Sequence, residues 1–346
     1  QDCNDTSRIL LTATVTSLGS NTLSGCSDST ISFADGSQIT SINDSFITGA
    51  TNVSLDLTNC TQITSIGTNA FQDCTALSSI ILPSSVTSIA DSAFSGCSNL
   101  ASVTFADSSQ LTTIGQYAFQ NCTSITSIVL PASVTSIGDY AFTGCSNIEI
   151  SFAPGSQFTF INCSFILDAS NVSLDLTNCT QITNMAIDPS GAGESINCLA
   201  YCPALTSVII PTSVTSLGYG AFFSCSNLVS VTFAEGSQLT SISPMAFASC
   251  TSLESIEIPA TVAILDGLAF TSCTGLESVV FAEGSQLQSI ADLSFSGCTA
   301  LNSIILPSSV TSIGDFAFRN CTSLTSIEIP ATVTSIGESV FEGCSN

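Results

Sequence analysis

Residues 298–318 read CTALNSIILPSSVTSIGDFAF, and the order of apolar and polar residues in this stretch decides the fold. Ile304 and Leu306 alternate with Ile305, which predicts a short strand with two side chains pointing inward and one pointing outward. Pro307 ends that strand, because proline fixes φ and has no amide hydrogen to donate.

The second half of the stretch predicts a return path to the next strand. Val310 and Ile313 form a second inward-facing apolar segment, and Gly314 allows a bend. Asp315 is predicted to be the N-cap of a single helical turn that buries Phe318. The same acidic position is occupied by Asp44, Asp91, Asp139, Asp292 and Glu338.

The stretch is one copy of a repeat. Residues 225–247, CSNLVSVTFAEGSQLTSISPMAF, show a longer form in which an Ala-Glu-Gly-Ser turn replaces the proline. Repeats of 23 and 25 residues alternate, and about 14 of them fit between the first and the last ladder cysteine. Such a period predicts a solenoid in which each repeat packs on its neighbours to form one continuous core. The cysteines that mark the repeats are Cys3, Cys26, Cys74, Cys97, Cys122, Cys145, Cys202, Cys225, Cys250, Cys273, Cys298, Cys321 and Cys344.

Residues 324–344, LTSIEIPATVTSIGESVFEGC, resemble the repeat of the BspA-like (treponemal-type) leucine-rich repeat family, and the resemblance covers nearly the whole chain. It implies a curved solenoid and a secreted or surface-displayed protein, often one involved in adhesion. The predicted fold is therefore a leucine-rich-repeat solenoid, mostly β with short helical turns. About 14 stacked repeats of 23–25 residues would form a curved right-handed coil.

A duplication is superimposed on the repeat. Residues 26–64 reappear at 145–183, and the second copy is followed by an insertion at 185–201. The insertion contains Gly, Pro and Ser, so a surface loop is expected there. The whole chain, 1–346, is predicted to form one domain.

Composition excludes several classes of function. The chain has 26 acidic residues, two arginines, no lysine and no histidine, so it cannot neutralise the phosphates of a nucleic acid or bind an anionic membrane surface. No apolar run approaches the roughly 18 residues of a membrane-spanning helix, so membrane insertion is not expected. The chain begins with Gln1 rather than Met, which suggests that a secretory signal has been removed.

Catalysis is not expected either. Without histidine or lysine, no Ser-His-Asp, Cys-His or Ser-Lys pair can form. A carboxylate pair remains formally possible, but the acids occupy repeated capping and turn positions. We therefore predict a non-enzymatic protein without a cofactor. Calcium is the one ligand left open, because stacked repeats bring acids such as Asp91, Asp139 and Asp315 to similar positions.

Seventeen cysteines raise the question of disulfides and metal sites. No closely spaced zinc-type pair occurs, and the ladder cysteines are interpreted as small buried apolar residues. Four cysteines lie off the ladder, and in an oxidising compartment they are the disulfide candidates. Cys179 with Cys198 is the first choice because they flank the insertion, and the others are Cys60 and Cys163.

Nine Asn-x-Ser/Thr sequences are candidates for glycosylation, although a chain this rich in Asn, Ser and Thr produces them by composition alone. Six of them lie in the duplicated segments, and the preferred sites among these are Asn52, Asn59, Asn171 and Asn178. The remaining candidates are Asn4, Asn43, Asn121, Asn162 and Asn320.

Three surfaces are candidates for contact with partners. The outward position of the main strand, called the strand face here, carries exposed aliphatic residues at Ile81, Val129, Ile209, Val280 and Ile305. Repeated Thr-Ser pairs, such as Thr87-Ser88 and Thr311-Ser312, form a hydroxyl row similar to those of ice-binding solenoids. The chain starts and stops at nearly the same phase of the repeat, so two copies could stack end to end through Cys3, Ile9, Leu11, Val340, Phe341 and Cys344.

These features together predict an extracellular structural protein that builds a filament or surface assembly by head-to-tail stacking. The alternative is a cell-surface adhesin or receptor domain that binds a protein or glycan through its strand face. A calcium-dependent or ice-binding module is the third hypothesis.

Overall fold

The computed structural model describes residues 8–23, 29–48, 53–186 and 198–345. It is a β-solenoid of about 13 turns, which confirms the leucine-rich-repeat solenoid that the repeat predicts. The chain divides into two compact units. Unit 1 comprises residues 1–158 and 164–173, and unit 2 comprises residues 159–163 and 174–346. The prediction of a single domain stays a prediction.

Unit 1 contains two sets of parallel strands. The longer strands carry the strand face and are β1 (Arg8–Leu11), β2 (Ser29–Phe33), β4 (Val53–Asp56), β6 (Ser79–Leu82), β8 (Ser102–Phe105), β10 (Ser127–Leu130) and β12 (Glu149–Phe152). They pair as β1-β2-β4, β6-β8 and β10-β12. The two-residue strands β3 (Ser41–Ile42), β5 (Ser65–Ile66), β7 (Ser88–Ile89), β9 (Thr113–Ile114) and β11 (Ser136–Ile137) form a separate five-stranded sheet.

Unit 2 repeats this arrangement after β13 (Val172–Asp175), which lies where the chain passes from one unit to the other. Its longer strands pair in chain order and are β15 (Leu205–Ile210), β17 (Ser230–Phe233), β19 (Ser255–Ile258), β21 (Ser278–Phe281), β23 (Ser303–Ile305) and β25 (Ser326–Glu328). Its two-residue strands are β14 (Asn184–Met185), β16 (Ser216–Leu217), β18 (Ser241–Ile242), β20 (Ile264–Leu265), β22 (Ser289–Ile290), β24 (Ser312–Ile313) and β26 (Ser335–Ile336). They form the sheets β14-β16-β18-β20 and β22-β24-β26.

Stacked phenylalanines form the centre of each core. In unit 1 the rings of Phe94 and Phe119 are 5.3 Å apart and nearly parallel. In unit 2 the ring of Phe247 lies between those of Phe222 and Phe270, at 5.2 and 5.1 Å. These five side chains are fully buried. Because the neighbouring turns that carry these phenylalanines place their rings at the same point, each set forms a column of stacked rings rather than separate contacts.

The predicted helical turn is wrong. Among the described residues the structure has one short 3₁₀ helix, Ser164–Ile166, and the segments after the acidic position are reversals without helix. The cause is a pair of left-handed residues in each turn, for example Phe316 and Asn320, with φ of 57° and 59°. Their amides, and that of Phe318 between them, donate to carbonyls of the following turn at 2.7–3.0 Å. The backbone therefore bonds between turns instead of within a helix.

The N-cap role predicted for the acids is wrong for the same reason. The Oδ1 atom of Asp91 accepts the backbone amide of Gln116, 25 residues ahead, at 2.8 Å. In unit 2, Asp292 accepts the amide of Asp315 in the same way at 2.8 Å. These two acids thus bond to the equivalent position of the next turn. The Asp139 carboxylate is exposed and accepts no hydrogen bond from the described part of the chain.

Replacing Asp315 with Ala is therefore expected to lower the free energy of unfolding by about 1–2 kcal/mol, because the amide of Glu338 loses a charged acceptor at 2.7 Å. The same change at Asp139 is expected to stay within about 0.5 kcal/mol. Urea melts of both variants measure the difference. Equal losses at the two positions would contradict the bond between turns.

The glycine that precedes the acidic position of some repeats, such as Gly115 and Gly314, is needed for close approach and not for the sharp bend that the sequence suggested. A Cβ atom on Gly115 would lie 2.6 Å from the backbone of Ala90 and from the Oδ1 of Asp91, in the turn below. No left-handed φ occurs at this glycine or at Gly314.

Gly115→Ala is accordingly expected to destabilise the protein by about 1–3 kcal/mol, because the two turns must move apart to admit the methyl group. Gly19 is the matched control, since it has the same place in its repeat and its nearest contact is Thr22 Oγ1 at 3.7 Å. Thermal melts of both variants test this prediction. An equally large loss of stability for Gly19→Ala would mean that the conformational freedom of glycine, and not the close approach of the turns, causes the effect.

The insertion begins later than predicted. Met185 is fully buried in β14, where it pairs with Leu217, so it is not part of a surface loop. Leu199 is also buried, and Tyr201 is 64 % exposed. The remainder of the predicted loop, residues 187–197, lies outside the described residues.

Candidate interaction surfaces

The acidic residues are spread along the solenoid rather than gathered into a centre. Within residues 8–23, 29–48, 53–186 and 198–345, no group of three or more His, Cys, Asp or Glu side chains is arranged to hold a metal ion. The proposal of a calcium site stays untested. In the same described ranges, no helix is long and apolar enough to cross a membrane.

The ladder cysteines do more than fill space. The Sγ atoms of Cys97, Cys273 and Cys298 lie 3.0–3.2 Å from phenylalanine carbonyls of the preceding turn, close enough for each thiol to donate a hydrogen bond. Burial raises the pKa of the Cys145 and Cys225 thiols to about 12, so they stay protonated at neutral pH. Cysteine spacing predicted the burial but not this bond.

The disulfide is not the predicted one. Cys163 is bonded to Cys202, with 5.6 Å between the Cα atoms, and both residues belong to unit 2. The pairing of Cys179 with Cys198 is therefore wrong, because both are thiols in the structure and Cys179 is buried. Cys60, the other candidate, is also a buried thiol, and desolvation raises its pKa to about 12.

Cys202 was missed because its spacing makes it an ordinary ladder residue. The available signal was the duplication, which aligns Cys163 with Asp44 and so marks it as a replacement at the acidic position.

The described sequons differ in what their side chains do. Asn59 is half-buried, and its Nδ2 donates to the carbonyl of Phe33 at 2.9 Å, while Asn43 Nδ2 donates to the carbonyl of Leu18. Asn171 is exposed and donates to Asn147 at 3.0 Å. The side chains of Asn121 and Asn320 are also exposed, whereas those of Asn162 and Asn178 are half-buried. Asn4 and Asn52 lie outside the described residues, and glycosylation stays a prediction at every site.

The strand face has the predicted orientation at most positions. Ile81 and Val129 in unit 1 are 54 % and 56 % exposed, and Val280 and Ile305 in unit 2 are 52 % and 82 % exposed. Ile209 differs, because it is half-buried. Val280 and Ile305 lie side by side, since the residues before them, Val279 and Ile304, are paired between β21 and β23.

The hydroxyl row is engaged with the backbone. The Oγ1 atoms of Thr87 and Thr135 in unit 1 donate to carbonyls one turn back at 3.0 and 3.3 Å. Thr311 and Thr334 do the same in unit 2, at 3.1 and 3.3 Å. The row thus has a structural role between turns, and ice binding stays a prediction.

The outer turns expose positions that inner turns bury. Ile336 is 53 % exposed although its equivalent Ile313 is 2 % exposed, and Phe341 is 36 % exposed where Phe318 is fully buried. In β1 of unit 1, Ile9 and Leu11 are half-buried, and Cys344 of unit 2 is also half-buried. Val340 was predicted to belong to this surface, but it is only 4 % exposed. Cys3 lies outside the described residues.

Grooves at the ends of the main strands were not foreseen. One, of 390 Å³, is lined by Thr232, Phe233, Glu257 and Pro259, and a second, of 470 Å³, has the equivalent residues Val280, Phe281, Ile305 and Pro307. Unit 1 has a related groove of 460 Å³ beside Phe105. The alternation of long and short repeats is the sequence signal that could have predicted these grooves, because each groove lies between a long repeat and the short repeat that follows it.

Comparison with known protein families gives a match over most of the chain. Residues 1–74, 64–191, 194–286 and 269–346 match the model of the BspA type leucine rich repeat region, in six copies. A comparison with curated proteins found no match.

Solved structures also match. A leucine-rich repeat protein from Bacteroides ovatus is 27% identical, with 82% of this chain and 80% of that chain covered and a TM-score of 0.43. A leucine rich cell surface protein from Faecalibacterium prausnitzii is 24% identical over 99% and 86% of the two chains, with a TM-score of 0.37. The pneumococcal vaccine antigen PcpA is 18% identical over 89% and 79%, with a TM-score of 0.39.

Proposed function

Because the chain belongs to the BspA type leucine-rich repeat family, we propose that it is a non-enzymatic, extracellular structural protein whose solenoids stack end to end. The observation that supports stacking is how neighbouring turns pack. Ile313 and Phe318 are buried against Ile336 and Phe341 of the following turn, whereas Ile336 and Phe341 themselves are exposed. An apolar strand edge of this kind is a template for another chain. In a polymer, β1 of one copy would lie beside β25 of the next and continue the parallel pairing.

Such a contact joins two different edges, so it does not close on itself and produces a filament. The repeat supplies matching apolar positions at both edges, because Leu18 and Leu23 of the first turn correspond to Ile336 and Phe341. Inner turns such as that of Ile313 and Phe318 bury these positions against a neighbour. The partner in this proposal is a second copy of the chain.

Negative-stain microscopy and light scattering of the purified chain test this proposal. The wild type is expected to form filaments, and Ile336→Glu is expected to remain monomeric with an unchanged melting temperature. Ile264→Glu is the matched control, because Ile264 is also 53 % exposed but lies within an inner turn. A wild type that stays monomeric at high concentration, or an equal effect of both substitutions, would overturn stacking.

A second candidate function is adhesion through the strand face, supported by the exposed pair Val280 and Ile305. Adjacent exposed aliphatic side chains on a sheet are typical of contact surfaces for a protein or glycan. Arrays of matrix proteins and glycans test it, with Val280→Asp/Ile305→Asp expected to abolish binding and Ile264→Asp expected to retain it. Binding that survives the double substitution would exclude the strand face.

A further inference from the structure

Two grooves in unit 2 have a phenylalanine and a proline at equivalent positions. The first is lined by Phe233, Glu257 and Pro259, and the second by Phe281 and Pro307. In each, the phenylalanine that ends a main strand is half-buried, and the proline of the next turn forms the opposite wall. Among the described phenylalanines that end a main strand, Phe33 and Phe152 are 2 % exposed, whereas Phe105, Phe233 and Phe281 are half-buried.

The sequence explains why the grooves recur. Residues 233–239 and 281–287 both read FAEGSQL, and each belongs to a long repeat that is followed by a short repeat ending its strand in proline. Gly236 and Gly284 have φ of 78° and 77°, and no atom would lie within 4 Å of a Cβ on either. The turn alone does not uncover the ring, because Gly155 has an equally open left-handed turn beside the buried Phe152. The grooves recur where the next repeat is a short one that ends its strand in proline.

The charge around the grooves has one sign. Glu257 lines the first groove from strand β19, and Glu283 lines the second groove from the turn after Phe281, so the two carboxylates are not at equivalent positions of the repeat. Both side chains are exposed. The chain has no lysine, and Arg319 of unit 2 forms an ion pair with Glu342 at 3.3 Å and lines neither groove. An aromatic floor with a carboxylate at the rim suits a side chain that has an apolar stem and a cationic end, which is the chemistry of Lys and Arg.

Spacing selects the conformation of the partner. The grooves are two turns apart, and adjacent strands are about 4.8 Å apart, so equivalent points recur about every 9.6 Å. A polyproline II helix has three residues per turn and rises about 3.1 Å per residue, so residues i and i+3 share a face about 9.3 Å apart. In an extended strand, residues i and i+3 point to opposite faces. The spacing therefore fits polyproline II and not a β-strand.

We propose that unit 2 binds a basic peptide in the polyproline II conformation, with Lys or Arg at positions i and i+3, one side chain in each groove. This inference rests on the second candidate function and adds the chemistry of the partner. Proline-rich segments bind aromatic-lined grooves with little loss of conformational entropy, because they are already extended. The net charge of −24 assists the encounter with a cationic partner.

Fluorescence anisotropy with two labelled peptides of equal composition tests the proposal. Pro-Pro-Lys-Pro-Pro-Lys-Pro-Pro presents its lysines three residues apart, and Pro-Pro-Lys-Pro-Lys-Pro-Pro-Pro presents them two apart. The first peptide is expected to bind at least about tenfold more tightly, because only it fills both grooves at once. Binding is expected to weaken with added salt.

Single substitutions assign the effect to the grooves. Glu257→Gln and Glu283→Gln are each expected to reduce binding of the first peptide to the level of the second. Glu338→Gln is the control, because Glu338 is an exposed carboxylate of unit 2 that lines neither groove. Equal affinity for the two peptides, or equal effects of all three substitutions, would overturn the proposal. If the arrays show a glycan or protein bound through Val280 and Ile305 while neither peptide binds, adhesion stands and this inference fails.

Discussion

Replacing Phe247 with Ala is expected to lower the free energy of unfolding by about 3–5 kcal/mol, through lost burial and the cavity that remains. The side chain is fully buried, and its ring lies between two other rings at 5.2 and 5.1 Å. The backbone around it is held as well, since its carbonyl accepts the thiol of Cys273 at 3.0 Å. Neighbouring turns therefore cannot close the cavity without breaking bonds between turns.

Phe341 is the matched control, because it belongs to the same column but stacks on one ring alone, Phe318, at 5.8 Å and is 36 % exposed. Phe341→Ala is expected to cost about 1–2 kcal/mol, since less apolar surface is lost from the core. Denaturant melts followed by circular dichroism compare the two variants. A loss below about 1 kcal/mol for Phe247→Ala would contradict the stacked core.

Removing the disulfide is the second large effect. The Cys163→Ala/Cys202→Ala variant is expected to lose about 4 kcal/mol, because the unfolded chain regains the freedom of a loop that spans 39 residues. The effect is expected in melts that report on unit 2, which contains both cysteines. Mass spectrometry of an unreduced digest identifies the bonded pair directly.

The Cys179→Ala/Cys198→Ala variant is the control, because these residues flank the insertion but lie outside the disulfide. If it leaves the Cys163–Cys202 peptide intact while the first double variant abolishes it, the pairing is established. A Cys179–Cys198 peptide in the wild-type digest would restore the pairing predicted from sequence.

The fold could be predicted from the sequence because the same pattern of apolar and polar residues recurs in successive repeats. Alternation around Ile304 and Leu306 identifies the strand, and Pro307 identifies its end. Burial of Phe318 and Cys321 followed from their period and is confirmed. Orientation of the strand face was predictable for Val280 and Ile305, since a strand has a period of two.

Local rules failed where the bonding partner belongs to another turn. Gly314-Asp315 is typical of a helix start. The amide that donates a hydrogen bond to the Asp315 carboxylate, however, belongs to Glu338, 23 residues ahead. Left-handed conformations at bulky residues such as Phe316 are disfavoured by local sterics, and they persist because the adjoining turn accepts the amide at 2.9 Å. No window of one repeat contains both partners.

The sequence by itself determined the solenoid, its period, the inward residues and the acidic, lysine-free surface, because each depends on patterns that repeat along the chain. Tertiary structure decided the Cys163–Cys202 disulfide, the hydrogen bonds of the ladder thiols and the grooves beside Phe233 and Phe281. The physical reason is the same in each case. These features depend on which residues of one turn lie against the next, and that alignment is set by the differing lengths of successive repeats and by bonds between turns.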